Sequence, residues 1–157
     1  MTGRVVVIGV GNPFRRDDGV GPAVVEALRG RVPDGTVLAV SDGEPGRMLD
    51  LWHGADTVVV VEAVRTRPSR PGRLHTLSAA EAAAHPRGSA STHALGPGEC
   101  LALAEALDRL PRAFVMHAVE VSDLGLGTGL SEPVRASLPA LVDRAAASVR
   151  EASAPHP

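Results

Sequence analysis

Residues Val5 to Leu28 read VVVIGVGNPFRRDDGVGPAVVEAL, and the fold class follows from them. Val5 to Gly9 runs without polar alternation, the pattern of a parallel strand buried on both faces. Gly9-Val10-Gly11-Asn12-Pro13 then forces a sharp turn, because Pro13 has no N–H with which to continue a ladder. Asp17 and Asp18 follow, then Gly19 and Gly21, then Val20, Ala23, Val24 and Leu28 at helical spacing. Strand, glycine-rich turn, acidic pair and helix make the first βα unit of an α/β domain. In open sheets of this class, ligands bind beyond the carboxyl ends of the strands. The acidic pair lies there.

Working outward, the alternation repeats. Thr36 to Val40 predicts a second strand, closed by the acidic, glycine-rich loop Ser41-Asp42-Gly43-Glu44-Pro45-Gly46. A short helix through Met48, Leu49, Leu51 and Trp52 leads to Thr57–Val61, the most β-branched run and the expected central strand. It terminates in Glu62-Ala63-Val64. Arg65 to Arg73, rich in Arg, Pro and Gly, reads as a surface loop. Leu74 to Leu77 predicts a short edge strand, and Ala79 to Ala84 a brief helix stopped by His85-Pro86. A further helix is expected from the neighbourhood of Ser91-Thr92, or from near Pro97, to about Leu107. Ala113 to Val121 predicts a strand and Asp123 to Gly129 a glycine-rich loop. Ser131-Glu132-Pro133 opens a last helix to about Arg150, with Ser131 as N-cap and proline in the first turn. Alternating strands and helices imply βαβ crossovers and a mostly parallel sheet covered on both faces. Residues 1–151 read as a single domain and 152–157 as a flexible tail.

Composition limits the function classes. At 157 residues with 44% hydrophobic and 22% charged side chains, the chain has the balance of one soluble globular domain. A net charge of −2 gives no attraction to nucleic acid or an anionic membrane. With Phe14, Trp52 and Phe114 as the complete set of aromatics, a stacking platform for single strands is not expected. No run resembles a signal peptide or approaches the length of a membrane helix. A single cysteine, Cys100, excludes an internal disulfide and fits a reducing cytoplasm. The chain has no tyrosine, and all 16 of its Lys-plus-Arg residues are arginine. Schiff-base chemistry, Ser-Lys dyads and a Walker lysine are therefore excluded. Carboxylate, imidazole, one thiol and hydroxyls remain.

Asp18 follows the first strand, Asp42 the second, and Glu62 ends the expected central one. Neighbouring strands lie about 5 Å apart, so such carboxylates can share one crevice, with His93 on a Ser/Thr-rich loop at its rim. Two carboxylates and an imidazole suit a first-row divalent metal with open coordination positions. Capping of the following helix accounts equally well for Asp17, and less well for Asp18. Glu62, directly after four valines, is harder to assign to structure alone, since a carboxylate there needs a partner. His93 taken singly reads as an ordinary loop histidine, and His117 as a packing residue. Cys100, in an Ala/Leu-rich helix, reads as a buried inert thiol. Phe14 stands where a dinucleotide fingerprint needs its third glycine, and the acidic pair would repel a pyrophosphate. No nucleotide or organic cofactor is expected.

Together GVGNPFRRDDGVG, SDGEPG, VVVVEAV, STHALG and GTGLSEPV, in this order from about residue 4 to residue 150, resemble the hydrogenase maturation proteases. These endopeptidases trim the C-terminus of the nickel–iron hydrogenase large subunit. The resemblance implies a three-layer αβα sandwich around a twisted, mostly parallel five-stranded sheet. It also implies that Asp18, Glu62 and His93 occupy the family's three metal-contacting positions. Nickel is then supplied by the substrate, a nickel–iron hydrogenase large-subunit precursor, and Asp42-Gly43 matches a loop linked to substrate recognition. Glu62 departs from the family's usual aspartate by one methylene, and His117-Ala118-Val119-Glu120-Val121 departs from the Gly-x-Glu-Pro-like segment. A monomer is expected, with no nucleic-acid or membrane partner. Two alternatives remain: a zinc-type metallohydrolase using the same residues, and a maturation chaperone that binds the same precursor without cutting it.

Overall fold

The structure, a computed structural model, describes residues 3–84 and 97–154. Five strands form one sheet: β1 (Val5–Val10), β2 (Val37–Ser41), β3 (Thr57–Val64), β4 (Leu74–Ser78) and β5 (Ala113–Glu120), in the order β2-β1-β3-β5-β4. All pairings are parallel except β4 with β5, which is antiparallel. The β-branched run does form the centre, and β4 the expected edge. Strand β3 continues to Val64, so Glu62 lies inside the ladder opposite Val10 and Ala118.

Among the described residues five α-helices cover the sheet: α1 (Val20–Leu28), α2 (Pro45–Trp52), α3 (Ala79–Ala84), α4 (Pro97–Ala106) and α5 (Glu132–Ser153). Side chains alternate across a strand, and the sequence uses both faces. Val5 and Val7 of β1 with Val59, Val61 and Ala63 of β3 pack against α1 and α5. Val6, Ile8 and Val10 with Val58, Val60 and Val64 pack against α2, α3 and α4. The result is the three-layer αβα sandwich. A fully buried side chain such as Leu28 contributes about 1.5–3 kcal/mol by leaving water. With so few aromatics, valine, leucine and alanine carry most of this burial.

The first βα unit is held at unusually close range. A Cβ on Gly9 would lie 2.4 Å from the Gly21 carbonyl oxygen, and one on Gly21 would lie 2.6 Å from that of Val10. Backbone thus meets backbone where α1 crosses β1, and the Asp17-Asp18 turn is fixed directly onto the sheet. That turn is a 3-10 helix, Arg16–Gly19, ahead of α1, where a simple helix start near residue 19 was expected. Helix α5 runs to Ser153, into the stretch expected as a tail; residues 155–157 lie outside the described residues.

Candidate functional site

Parallel β1, β2 and β3 deliver three loops to one end of the sheet. Ser41, Val10, Glu62 and Ala118 form a row across four strands at that end. The loop after β1 turns through Gly11, whose φ of 146° is a conformation that side-chain-bearing residues rarely adopt. A Cβ at Gly11 would lie 1.8 Å from the Asp18 carbonyl oxygen, so the loop and the 3-10 turn are in contact through main chain. The Gly11 N–H donates to the Ser41 carbonyl at 2.9 Å and ties this loop to the end of β2.

Asp18 is almost completely buried, with 1% of its surface exposed. Its Oδ2 accepts the Asn12 N–H at 2.9 Å, and the Arg15 guanidinium stands 3.8 Å away. Its Oδ1 is buried with no hydrogen-bond partner among the described residues. Burial pushes the carboxyl above its ordinary value, with Asn12 and Arg15 opposing that shift. A buried carboxylate oxygen lacking a donor is costly, and a cation or a donor from a ligand removes the cost.

Glu62 is likewise buried, on the side of β3 that carries Val58, Val60 and Val64. It lines a narrow cleft with Val10, Gly43, Met48, Trp52 and Cys100, holding about 10 Å³ of water-accessible space, about enough for one water molecule. The cleft makes Cys100 a poor nucleophile: burial, then the nearby charge of Glu62, pushes its thiol up to about 11. The thiol is therefore protonated at neutral pH, as the inert reading requires.

Asp17 does not cap α1. It is fully buried and faces the other way, accepting the Ser131 N–H at 2.7 Å, the Ser131 hydroxyl at 2.8 Å and the Asp123 N–H at 3.3 Å. Ser131 occupies the N-cap position of α5, as expected, but spends its hydroxyl on Asp17 and makes no side-chain cap. Arg16, between the two loops, adopts a φ of 49°, uncommon for a residue other than glycine. Its N–H donates to the Gly127 carbonyl at 3.0 Å and its guanidinium to the Thr128 carbonyl at 3.1 Å. Phe14 and Leu126 project from these joined loops, 67% and 90% exposed.

Asp42 turns away from the crevice. Its carboxylate accepts the Glu44 N–H at 3.0 Å and pairs with Arg47 at 2.7 Å on the surface. Glu44 is the N-cap of α2, accepting the N–H groups of Gly46 and Arg47, both at 2.9 Å. Gly43, at φ 88°, reaches the Glu62 cleft. Asp42 and Gly43 thus sit on opposite sides of one tight loop. His93 lies outside the described residues. Among the described residues no three His, Cys, Asp or Glu side chains gather as a metal-holding group. Asp18 and Glu62 are the described members of the expected set.

His117 is a satisfied interior residue. One ring nitrogen pairs with the Thr76 hydroxyl at 3.0 Å and the other with the Ser148 hydroxyl at 2.8 Å. Burial, helped by Arg144, lowers its pKa to about 4, so it is neutral at physiological pH. Glu120, three residues on, is a buried carboxylate that sequence reasoning passed over. Thr66 Oγ1 donates to it at 2.6 Å, the Arg70 N–H at 3.0 Å, and His75 pairs with it at 2.7 Å. Burial alone would raise its pKa, but these hydrogen bonds outweigh burial and hold it down to about 2. Its signal was the same as that of Glu62, an acid at the end of an apolar strand.

Known proteins resolve the kinship. A profile of the family described as hydrogenase maturation protease matches residues 22–148. This chain belongs to the hydrogenase maturation protease family. The hydrogenase 2 maturation protease of Escherichia coli K12 is 28% identical over 152 residues, covering 94% of this chain and 92% of that protein. The hydrogenase expression/formation protein HupM of Azotobacter chroococcum is 34% identical, covering 90% of this chain and 71% of that one. The solved hydrogenase maturating endopeptidase HybD of E. coli superposes with a TM-score of 0.81 at 26% identity, covering 94% of this chain and 93% of its own. The fold is therefore that of the hydrogenase maturation proteases, and peptidase chemistry is the family's activity.

Proposed function

We propose that this chain is the endopeptidase that removes the C-terminal extension of a nickel–iron hydrogenase large-subunit precursor after nickel insertion. The carrying observation is Asp18: a buried carboxylate with one oxygen lacking a donor among the described residues, at the carboxyl end of β1 and one strand from Glu62. Such an oxygen suits a cation that arrives with the substrate. We assign nickel recognition to Asp18 and Glu62 with His93 as third ligand, and substrate recognition to the loop at Asp42 and Gly43. Oxygen and imidazole donors fit a divalent first-row ion. Glu62 lies inside a strand and lines the narrow cleft beside that end of the sheet, and its carboxylate keeps the oxygen donor that an aspartate would supply.

Hydrolysis adds water across the scissile amide: a C–O bond forms, the C–N bond breaks, and a proton passes to the leaving nitrogen. Covalent catalysis is disfavoured among the described residues. The Cys100 thiol is protonated, the Ser131 hydroxyl is held by Asp17, and His117 is buried with both nitrogens engaged. Water attack on a carbonyl positioned by the bound nickel centre fits better. We place this reaction in the cytoplasm, on a monomer.

The test is the intact mass of the large-subunit precursor after incubation with this protein, with and without inserted nickel. Loss of a C-terminal peptide from the loaded precursor alone is the expected result. Binding without a mass change favours a non-cleaving chaperone and refutes the proposal. Cleavage regardless of nickel assigns Asp18, Glu62 and His93 to a metal of their own, as in a zinc-type hydrolase, or to none.

A further inference from the structure

Arg65-Thr66-Arg67-Pro68-Ser69-Arg70-Pro71-Gly72-Arg73 carries four of the sixteen arginines and no acidic residue. All four arginines are exposed. The segment leaves the carboxyl end of β3 directly, so Arg65 stands three residues beyond Glu62, about 10 Å along the chain direction.

The loop is held rigidly from beneath. Buried Glu120 accepts the Thr66 hydroxyl and the Arg70 N–H, while its main chain exchanges hydrogen bonds with Gly72 and Arg73, both at 2.9 Å. Ser69 Oγ donates to the Val121 carbonyl at 3.0 Å, and Ser137 Oγ of α5 donates to the Gly72 carbonyl at 2.6 Å. Glu120 meets a guanidinium of this loop at 3.8 Å, that of Arg73. A mobile linker needs no such framework. With Arg73 set against Glu120, the loop still carries a net positive charge on a fixed frame beside the reactive crevice, whereas the whole chain carries −2.

We propose that the Arg65–Arg73 loop docks an acidic surface of the protein substrate and orients it over the Asp18–Glu62 end of the sheet. This rests on the proposed processing function, in which the substrate is a folded precursor with surface beyond its scissile segment. Charge complementarity at such a rim chiefly governs encounter rate and orientation, and it weakens with salt. The negative net charge favours a protein partner over a nucleic acid, which would be repelled by the rest of the molecule.

The experiment compares the wild-type protein with the triple variant R65Q/R67Q/R70Q, which leaves Arg73 on Glu120. A second variant, R29Q/R31Q/R109Q, removes the same charge elsewhere. Precursor affinity is measured from low to high salt, cleavage kinetics are followed separately, and unchanged melting temperatures verify folding. The loop variant is expected to bind the precursor about tenfold more weakly at low salt, with a flattened salt dependence. Its kcat at saturation should be unchanged, and the control variant should behave as wild type. Equal affinity and equal salt dependence in wild type and loop variant overturn the proposal. So does loss of single-stranded oligonucleotide binding in the loop variant while precursor binding is unaffected, an outcome that assigns the loop to nucleic acid. Failure of the wild type to cleave loaded precursor refutes the processing function instead, because binding is read independently of cleavage. A wild type that neither binds nor cleaves overturns both.

Discussion

Replacing Ser131 by alanine should loosen the joint between the acidic turn and α5. The Ser131 hydroxyl donates to buried Asp17 at 2.8 Å, and the Asp17 carboxylate also takes the Ser131 and Asp123 N–H groups. A hydrogen bond to a charged group is worth about 1.5–3 kcal/mol, and the remaining N–H donors keep Asp17 from being stranded, so Ser131→Ala should cost about 2 kcal/mol. For a chain of this size that lowers Tm by about 4–8 °C. Asp17→Ala removes the acceptor of three donors and should cost more. Since the hydroxyl bond is lost in both single variants, the double variant should be less destabilised than their sum. Chemical denaturation of all four proteins gives the coupling energy, expected at about 1–2 kcal/mol. Strict additivity, or a Ser131→Ala cost below about 0.5 kcal/mol, a surface-like value, would refute the joint.

Asp18→Asn should abolish precursor cleavage without unfolding the protein. Because the carboxyl is shifted above 3.8 in the folded state, ionising it there opposes folding. The variant should therefore match or exceed wild-type stability at neutral pH, and lose that advantage below about pH 4, in paired denaturation curves. Glu120 behaves oppositely: with a folded pKa of about 2 against an ordinary 4.5, its contribution is present above pH 4.5 and disappears as pH falls toward 2. Glu120→Gln should cost about 1–3 kcal/mol at neutral pH, with the deficit shrinking on acidification. Cys100, shifted from 9.0 to about 11, should alkylate about a hundredfold more slowly than an ordinary thiol under native conditions, and Cys100→Ala should retain cleavage.

The parallel strands were legible because each is a largely apolar run, and the central one because β-branched residues concentrate there. Local helix signals were legible too: Pro45 and Pro133 in first turns, and Ser131 at an N-cap position. Interactions across long sequence separations were not. Asp17 could be read equally as a cap because its real partner lies 114 residues away. The 3-10 turn was hidden because Arg16 holds its left-handed conformation through the Gly127 and Thr128 carbonyls, which local propensity does not describe. Asp42 appeared to face the crevice, but Arg47, in the first turn of α2, pairs with it at the surface. Glu62 and Glu120 carried the same pattern. Which one serves the crevice and which one anchors a loop depends on neighbours brought in by β4 and the Arg65–Arg73 segment.

The two adjacent aspartates also set an order of assembly. Asp18 lies far ahead of α5 in sequence, but the turn that presents it is clamped by Asp17 to Ser131, at the N-cap of that helix. Without α5 the described sheet has all its strands, and the acidic turn keeps its bonds to Asp123, Gly127 and Thr128 but loses the two donors of Ser131. Because a domain generally folds as a unit, the acidic turn gains its full set of donors when α5 docks. One serine at the start of a helix thereby acts as a latch on an acidic turn far away in sequence.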